Sequence, residues 1–339
     1  MTVDIADLHI SLGMQEIVHG VDLHIGDGER VGLIGPSGSG KSMIAKSLLG
    51  LLPREAALSG AITMGDAAIL APGAAGDGAD DFRGGRGGRD GRDGRRGGSS
   101  IYADERTLAD LRGRYVGAVF QNPTRALNPV MTIAQIIGLP LYLHYDLTLA
   151  ERVERIKAML DKVGLPQDTL LKRPHELSGG QRQRVGIAAA LVTSPRLIIA
   201  DEPTTALDSI TQRQIVDLLV SLVDDAGASM LFITHDFAVL QRATTRCYVL
   251  DAGLVVESGA TAGLLAAPKA APTRELVSAA RTLTLHSDMA GMAGADGAED
   301  DASTLPPSPG EPGEAGSGAS MRLPLKGDPA AQSTEETKR

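Results

Sequence analysis

Tryptophan is absent from the 339-residue chain, and aromatic residues of the other kinds are scarce, with four Phe and five Tyr. So few aromatic faces argue against a row of stacking platforms for single-stranded nucleic acid. A formal net charge of −9 also disfavours general binding to a phosphate backbone, so no nucleic-acid partner is expected. A single cysteine, Cys247, excludes an intrachain disulfide framework and any cysteine-rich metal or iron–sulfur site. It lies in an apolar, strand-like run and reads as core. Also lacking is an apolar stretch near the ~20 residues that a membrane helix needs. The best candidate, Val185 to Val192, soon meets Pro195 and Arg196. Asp4 and Asp7 occupy the start, with no basic stretch before an apolar run, so no secretion signal is read. These absences predict a soluble, cytosolic protein.

Glycine, by contrast, is abundant at 41 residues, and part of it is concentrated. Residues 71–100 hold 11 Gly, six Arg and five Asp with almost nothing apolar, too little to offset ordering entropy. They read as a flexible surface insertion, since the acids nearly cancel the arginines. Residues 283–339, with ten acids and four bases among Gly, Ala, Pro and Ser, read as a disordered acidic tail. The remaining residues, about 250, make one large domain.

That remainder alternates strands and helices, which argues for an α/β core. Val3–Ile10 and Val21–Ile25 alternate as half-buried strands do, and Arg30–Ile34 is a short apolar strand ending at glycine. Leu197–Ala200 and Met230–Ile233 are continuous apolar runs suited to a buried parallel sheet. Met43–Leu49 can form a helix. Thr148–Gly164 is a well-signalled one, with capping-box spacing at Thr148 and Glu151 and a face of Val153, Ile156, Leu160 and Val163.

Three motifs carry chemistry. Gly35, Pro36, Ser37, Gly38, Ser39, Gly40, Lys41 and Ser42 form a complete phosphate-binding loop between a strand and a helix. Its glycines let backbone N–H groups face phosphate oxygens, Lys41 can reach the β- and γ-phosphates, and Ser42 can ligate Mg²⁺. Asp201 and Glu202 end an apolar strand, where ligands of parallel sheets sit. Asp201 is expected to hold Mg²⁺, and Glu202 to orient or deprotonate the attacking water. Ser178, Gly179, Gly180 and Gln181, preceded by Leu177, lead into a helix over Arg182–Leu191; Ser178 suits an N-cap, and the glycines permit close approach to an anion.

In this order the motifs closely resemble the nucleotide-binding subunits of ATP-binding cassette (ABC) transporters. The resemblance covers roughly residues 1–282. It implies an ABC-type ATPase fold: an α/β, RecA-like P-loop core, an antiparallel β subdomain and an inserted α-helical subdomain at about 130–182. It also implies that Ser178–Gln181 bind ATP held by an opposite subunit, and that Gln121 contacts Mg²⁺ and communicates with the membrane subunit. Asp208, in Ala206-Leu207-Asp208, would cross the dimer interface, and His235 would contact the γ-phosphate. Where many members stack an aromatic ring on adenine, this chain has Leu12, which implies modest discrimination between ATP and GTP.

Phe120–Thr132, Pro174–Ser178 and Asp201–Asp208 are similar to the oligopeptide, dipeptide and nickel permease branch. The expected protein is then the ATP-hydrolysing subunit of an importer of peptides, nickel or related solutes, peripheral on the cytoplasmic face of the plasma membrane. Its partners would be integral permease subunits, a second cassette (identical or related) and, indirectly, an extracytoplasmic solute-binding protein. An alternative stays open: a soluble ABC ATPase of a non-transport complex, serving phosphonate degradation, nucleic acid or ribosomes.

Overall fold

The computed structural model describes residues 1–71, 101–205 and 207–281. The insertion beyond Ala71, the acidic tail and Ala206 lie outside the described residues.

The chain opens with an antiparallel pair, β1 (Val3–Leu12) and β2 (Gln15–Ile25), then passes through β3 (Arg30–Ile34) into α1 (Lys41–Leu49). Next come β4 (Ala56–Met64), β5 (Ala67–Ala71), β6 (Ile101–Tyr102), α2 (Glu105–Leu111) and β7 (Val116–Val119). From there to β8 (Leu197–Asp201) the chain forms only helices: α3 (Pro123–Ala126), α4 (Ile133–His144), α5 (Leu149–Lys162), two 3-10 turns and α6 (Gly179–Leu191). It continues through α7 (Ser209–Asp225), β9 (Ser229–Thr234), α8 (Phe237–Ala243), β10 (Arg246–Asp251), β11 (Leu254–Ala260) and α9 (Thr261–Ala266), and residues 271–281 are helical.

Two sheets result. One is antiparallel, in the order β2-β1-β4-β5-β6; the other, β11-β10-β3-β9-β8-β7, is parallel except at its β11 edge. The parallel strands are apolar on both faces because each face meets its own cluster. Ile198, Ala200, Met230 and Phe232 pack with α4, α6 and α7, whereas Leu197, Ile199, Leu231 and Ile233 pack with β1, β2, β4 and α1. Period-two alternation thus feeds two cores from one strand, and each of the larger side chains contributes roughly 1.5–3 kcal/mol by its burial.

Local signals set most boundaries. Thr148 and Glu151 close the expected capping box on α5, and Thr132 with Gln135 forms another on α4. Ile156, Leu160 and Val163 are buried as read from the sequence, but Val153 is 39% exposed, so the buried face of α5 is narrower than its spacing suggests. Strands β1 and β2 reach further than expected, to Leu12 and back to Gln15. The alternation of β1 breaks where Asp7 takes a positive φ of 49°, a bulge that lets Ile5 and Leu8 both face inward. Helix α1 begins at Lys41, two residues before the apolar run. Cys247 is fully buried in β10, and burial pushes its thiol up to about 11, in keeping with a core role. Among the described residues no helix is long and apolar enough to cross a membrane.

Candidate functional site

Because β3, β7, β8 and β9 are parallel, the loops that follow them leave from one edge of the sheet. That edge therefore collects Gly35–Ser42 after β3, Gln121 after β7, Asp201 and Glu202 at the end of β8, and His235 after β9.

The loop after β3 is tightly built. A Cβ on Gly35 would lie 2.0 Å from the Leu250 carbonyl oxygen, so only glycine fits beside β10. Gly40 has φ 104°, a region that L side chains avoid, and aims the chain into α1. Lys41 is 5% exposed, and its Nζ donates to the carbonyls of Gly35 (2.9 Å) and Pro36 (2.8 Å). Burial pulls this ammonium below its ordinary value, with Glu202 and Asp201 opposing. Ser39 Oγ is buried in the same loop without a hydrogen-bond partner.

Ser42 Oγ donates to Asp201 Oδ1 at 3.1 Å, joining α1 to the end of β8. Burial raises Asp201 above the usual carboxylate range, with the Ser42 bond opposing. A hydroxyl and one carboxylate beside a phosphate loop suit Mg²⁺, which takes hard oxygen ligands and keeps water and substrate phosphate in its shell. No group of three or more His, Cys, Asp or Glu suited to a metal occurs among the described residues, so the protein alone offers no closed cage.

Glu202 is the hub of the second half. Its φ of 46° is unusual for a non-glycine residue and costs roughly 1–3 kcal/mol, strain of the kind that collects at working sites. The conformation is held by its backbone N–H, which donates to the Ile233 carbonyl at 2.9 Å. Its carboxylate receives Gln121 Nε2 (2.9 Å) and Thr205 Oγ1 (2.9 Å) on one oxygen, and His235 Nδ1 lies 3.3 Å from the other. Gln121 and His235 were expected beside phosphate and metal; in the structure both engage Glu202 directly. Thr205 was missed by sequence reasoning, although its place three residues after Glu202 was a usable signal.

Ser178, Gly179, Gly180, Gln181 and Asp208 do not join this group. With Arg184, Leu207 and Thr211 they line a separate cavity of about 490 Å³. Ser178 caps α6: its hydroxyl accepts from Gln181 N, and Gln181 Oε1 accepts from Ser178 N at 2.9 Å. The Gln181 side chain is thereby committed to the cap. Asp208 caps α7, accepting from Thr211 N at 3.0 Å. A Cβ on Gly180 would approach Thr211 to 3.0 Å, which keeps this helix entrance narrow. Leu12, half-buried at the end of β1, pairs with Gln15 and Ala56. Further along the same hairpin, Ile17 and Val18 back Gly40.

A phosphate loop at the edge of a parallel sheet, with a hydroxyl–carboxylate pair and a strained glutamate beside it, defines a P-loop nucleotide-binding protein. The family model described as ABC transporter matches residues 18–205, and the chain belongs to that family. A Brucella ovis protein named as a peptide import ATP-binding protein is 41% identical over 244 residues, 71% of this chain and 65% of the relative. The chain thus spans just under two thirds of that relative's length. A Sinorhizobium fredii protein named as a peptide ABC transporter ATP-binding protein is 36% identical over 284 residues, covering 82% of this chain and 76% of its own. Among solved structures, the ATP-binding cassette MJ0796, a dimer in a post-hydrolysis state with ADP and Pi, matches with a TM-score of 0.60. It is 28% identical and covers 76% of this chain and 98% of that one. The expected α/β cassette fold is borne out.

Proposed function

We propose that this chain is the ATP-hydrolysing subunit of a membrane importer whose cargo is peptide. The observation that carries the hydrolytic part is the Glu202 hub: a strained carboxylate, oriented by Gln121, Thr205 and His235, one residue from the Ser42–Asp201 pair. The peptide cargo rests on the names of the relatives.

The phosphates of ATP lie on the Gly35–Ser42 loop, where backbone N–H groups and Lys41 offset their charge. Lys41 reaches them by exchanging its bonds to the Gly35 and Pro36 carbonyls for phosphate oxygens. The unpartnered Ser39 hydroxyl gives the loop a further polar group for an anionic ligand. Ser42, Asp201 and Gln121 are the groups that would hold Mg²⁺, whose chemistry is to neutralise charge on the β- and γ-phosphates. Glu202 accepts a proton from the attacking water, and His235 holds the carboxylate in place. Preorganised charge around the γ-phosphate supplies most of the rate enhancement.

Ser178–Gly180 and Asp208 line a cavity that contains no residue of the phosphate loop. A second cassette, identical or related, completes each site by bringing these residues to the nucleotide of the first. ATP favours closure because it touches both halves only in the closed pair. The permease subunit docks in an apolar groove of about 350 Å³ between the sheet and the helices, lined by Leu49, Val119, Phe120, Leu127 and Ile136. Phe120 links that groove to Gln121. Docking there places the chain on the inner face of the membrane, with a solute-binding protein on the other side.

Glu202→Gln tests the assignment. The variant is expected to keep ATP binding, to lose at least about 100-fold in turnover, and to accumulate as an ATP-bound dimer. Turnover within a few-fold of wild type removes Glu202 from its role. Co-purification with two integral membrane proteins supports the importer; soluble enzymes or ribosomes in their place overturn it.

A further inference from the structure

Four titratable side chains form a line on the outer face of β1 and β2. Asp7 Oδ1 lies 3.1 Å from His9 Nε2, Glu16 Oε1 lies 2.6 Å from His9 Nδ1, and Glu16 Oε2 lies 3.3 Å from His19 Nδ1. His9 and His19 stand opposite each other across the strand pair. A neutral imidazole has one N–H, so a ring with a carboxylate at each nitrogen is satisfied only as imidazolium. The hydrogen bond that His9 donates to Glu16 accordingly raises His9 above its ordinary value; partial burial opposes, and Asp7 adds to the rise. Glu16 is lowered by the same bond, with His19 assisting. Opposite His9 on β4 stands Ser59, which does not titrate in this range.

The line ends at the phosphate loop. His19 N donates to the Gly253 carbonyl at 2.9 Å, and Gly253 N donates to the Ser39 carbonyl at 3.2 Å. Gly253, between β10 and β11, has φ 80°, and a Cβ there would lie 2.3 Å from the Ile17 carbonyl and 2.4 Å from the His19 ring. Ile17 and Val18, between Glu16 and His19, also back Gly40. The segment that carries the charged line is therefore the wall behind the loop.

We propose that His9, Glu16 and His19 position the phosphate loop through Gly253, and that nucleotide affinity is consequently proton-dependent. With His9 protonated, both carboxylates are held and Glu16 ties the start of β2 to β1. Loss of that proton leaves one N–H and no ring charge to serve two carboxylates, so the pairing that ties Glu16 and Asp7 to His9 weakens and the wall loosens. This rests on the nucleotide-binding reading above, and none of the three residues is placed against substrate or metal.

The test is Mg-ADP affinity of the full chain, by titration calorimetry, from about pH 5.5 to about pH 8.5. Relative to H9Q, wild-type affinity is expected to weaken by about three-fold as pH rises through the elevated His9 value, the size that a partly exposed charge pair carries. E16Q, which keeps the histidine, moves the midpoint down towards an ordinary histidine and serves where H9Q does not fold. Superimposable profiles for wild type and a folded variant overturn the proposal and leave the nucleotide-binding reading intact. No Mg-ADP binding by wild type at any pH overturns that reading instead.

Discussion

At Asp201, stability and the proposed Mg²⁺ role pull in opposite directions. The half-buried carboxylate accepts a hydrogen bond from Ser42 Oγ, but burial outweighs that bond, so the folded protein favours the protonated form more than the unfolded chain does. The linkage has a definite sign. A raised folded value means that stability is fully present below the ordinary aspartate value and is lost as pH rises through the raised one. At neutral pH the nucleotide-free protein therefore carries a destabilising charge, which Mg²⁺ binding would offset. Asp201→Asn keeps the shape and an acceptor for Ser42 without the charge. Its melting temperature without nucleotide is expected to exceed wild type at neutral pH by about 2–4 °C, roughly 1 kcal/mol. The difference should vanish near or below about pH 4, and Mg²⁺-dependent ATP binding should be lost. Scanning calorimetry at two pH values decides it, and equal melting temperatures at neutral pH count against a buried, costly carboxylate.

At the scale of elements, two helices with the same start separate stability from function. Thr148 on α5 and Ser178 on α6 each accept from the backbone N–H three residues on, in a complete capping box. Replacing either by alanine removes one cap, at about 1 kcal/mol of stability. The Ser178 cap also lines the cavity assigned to a second cassette's ATP, whereas Thr148 does not. Both variants should lose similar amounts in urea denaturation, and only Ser178→Ala should also lower ATPase activity, by about 10-fold or more. Equal activities would reduce Ser178 to a helix cap.

Caps and apolar runs of this kind are also what made the fold legible in sequence. The phosphate loop, the strand at Leu197 and helix α5 follow from local residues alone. Strand β4 does not: its AALSGAITM run is rich in Ala, Ser and Gly, poor strand formers, and pairs because β1 and β5 flank it. The site was legible as residue types but not as contacts. Gln121 and Glu202 are 81 positions apart, and only the parallel order of β7 and β8 brings the ends of those strands together. The strained backbone of Glu202 likewise has no local signal, since it depends on a bond to Ile233 in another strand.

Across the whole molecule, the proposed composite site would require each cassette to present one continuous face to another, so an insertion compatible with it has its two ends meeting away from that face. The Gly/Arg segment meets the first requirement by construction. It leaves from Ala71 at the end of β5 and returns at Ile101 at the start of β6, and these two residues pair directly in the antiparallel ladder. Two chain ends already hydrogen-bonded to each other need only a tight turn between them, and shortening a loop between fixed ends reduces its closure entropy. The pair also lies at the far edge of the antiparallel sheet, beyond β4, while the phosphate loop follows β3 in the other sheet. Replacing residues 72–100 by Asn-Gly should therefore leave ATPase activity within about two-fold of the full chain and leave stability unchanged or slightly raised. Activity and urea denaturation of the shortened chain measure both. Loss of hydrolysis in a shortened chain that still unfolds cooperatively would show that the segment acts on the site and is not a passive excursion from the β5–β6 edge.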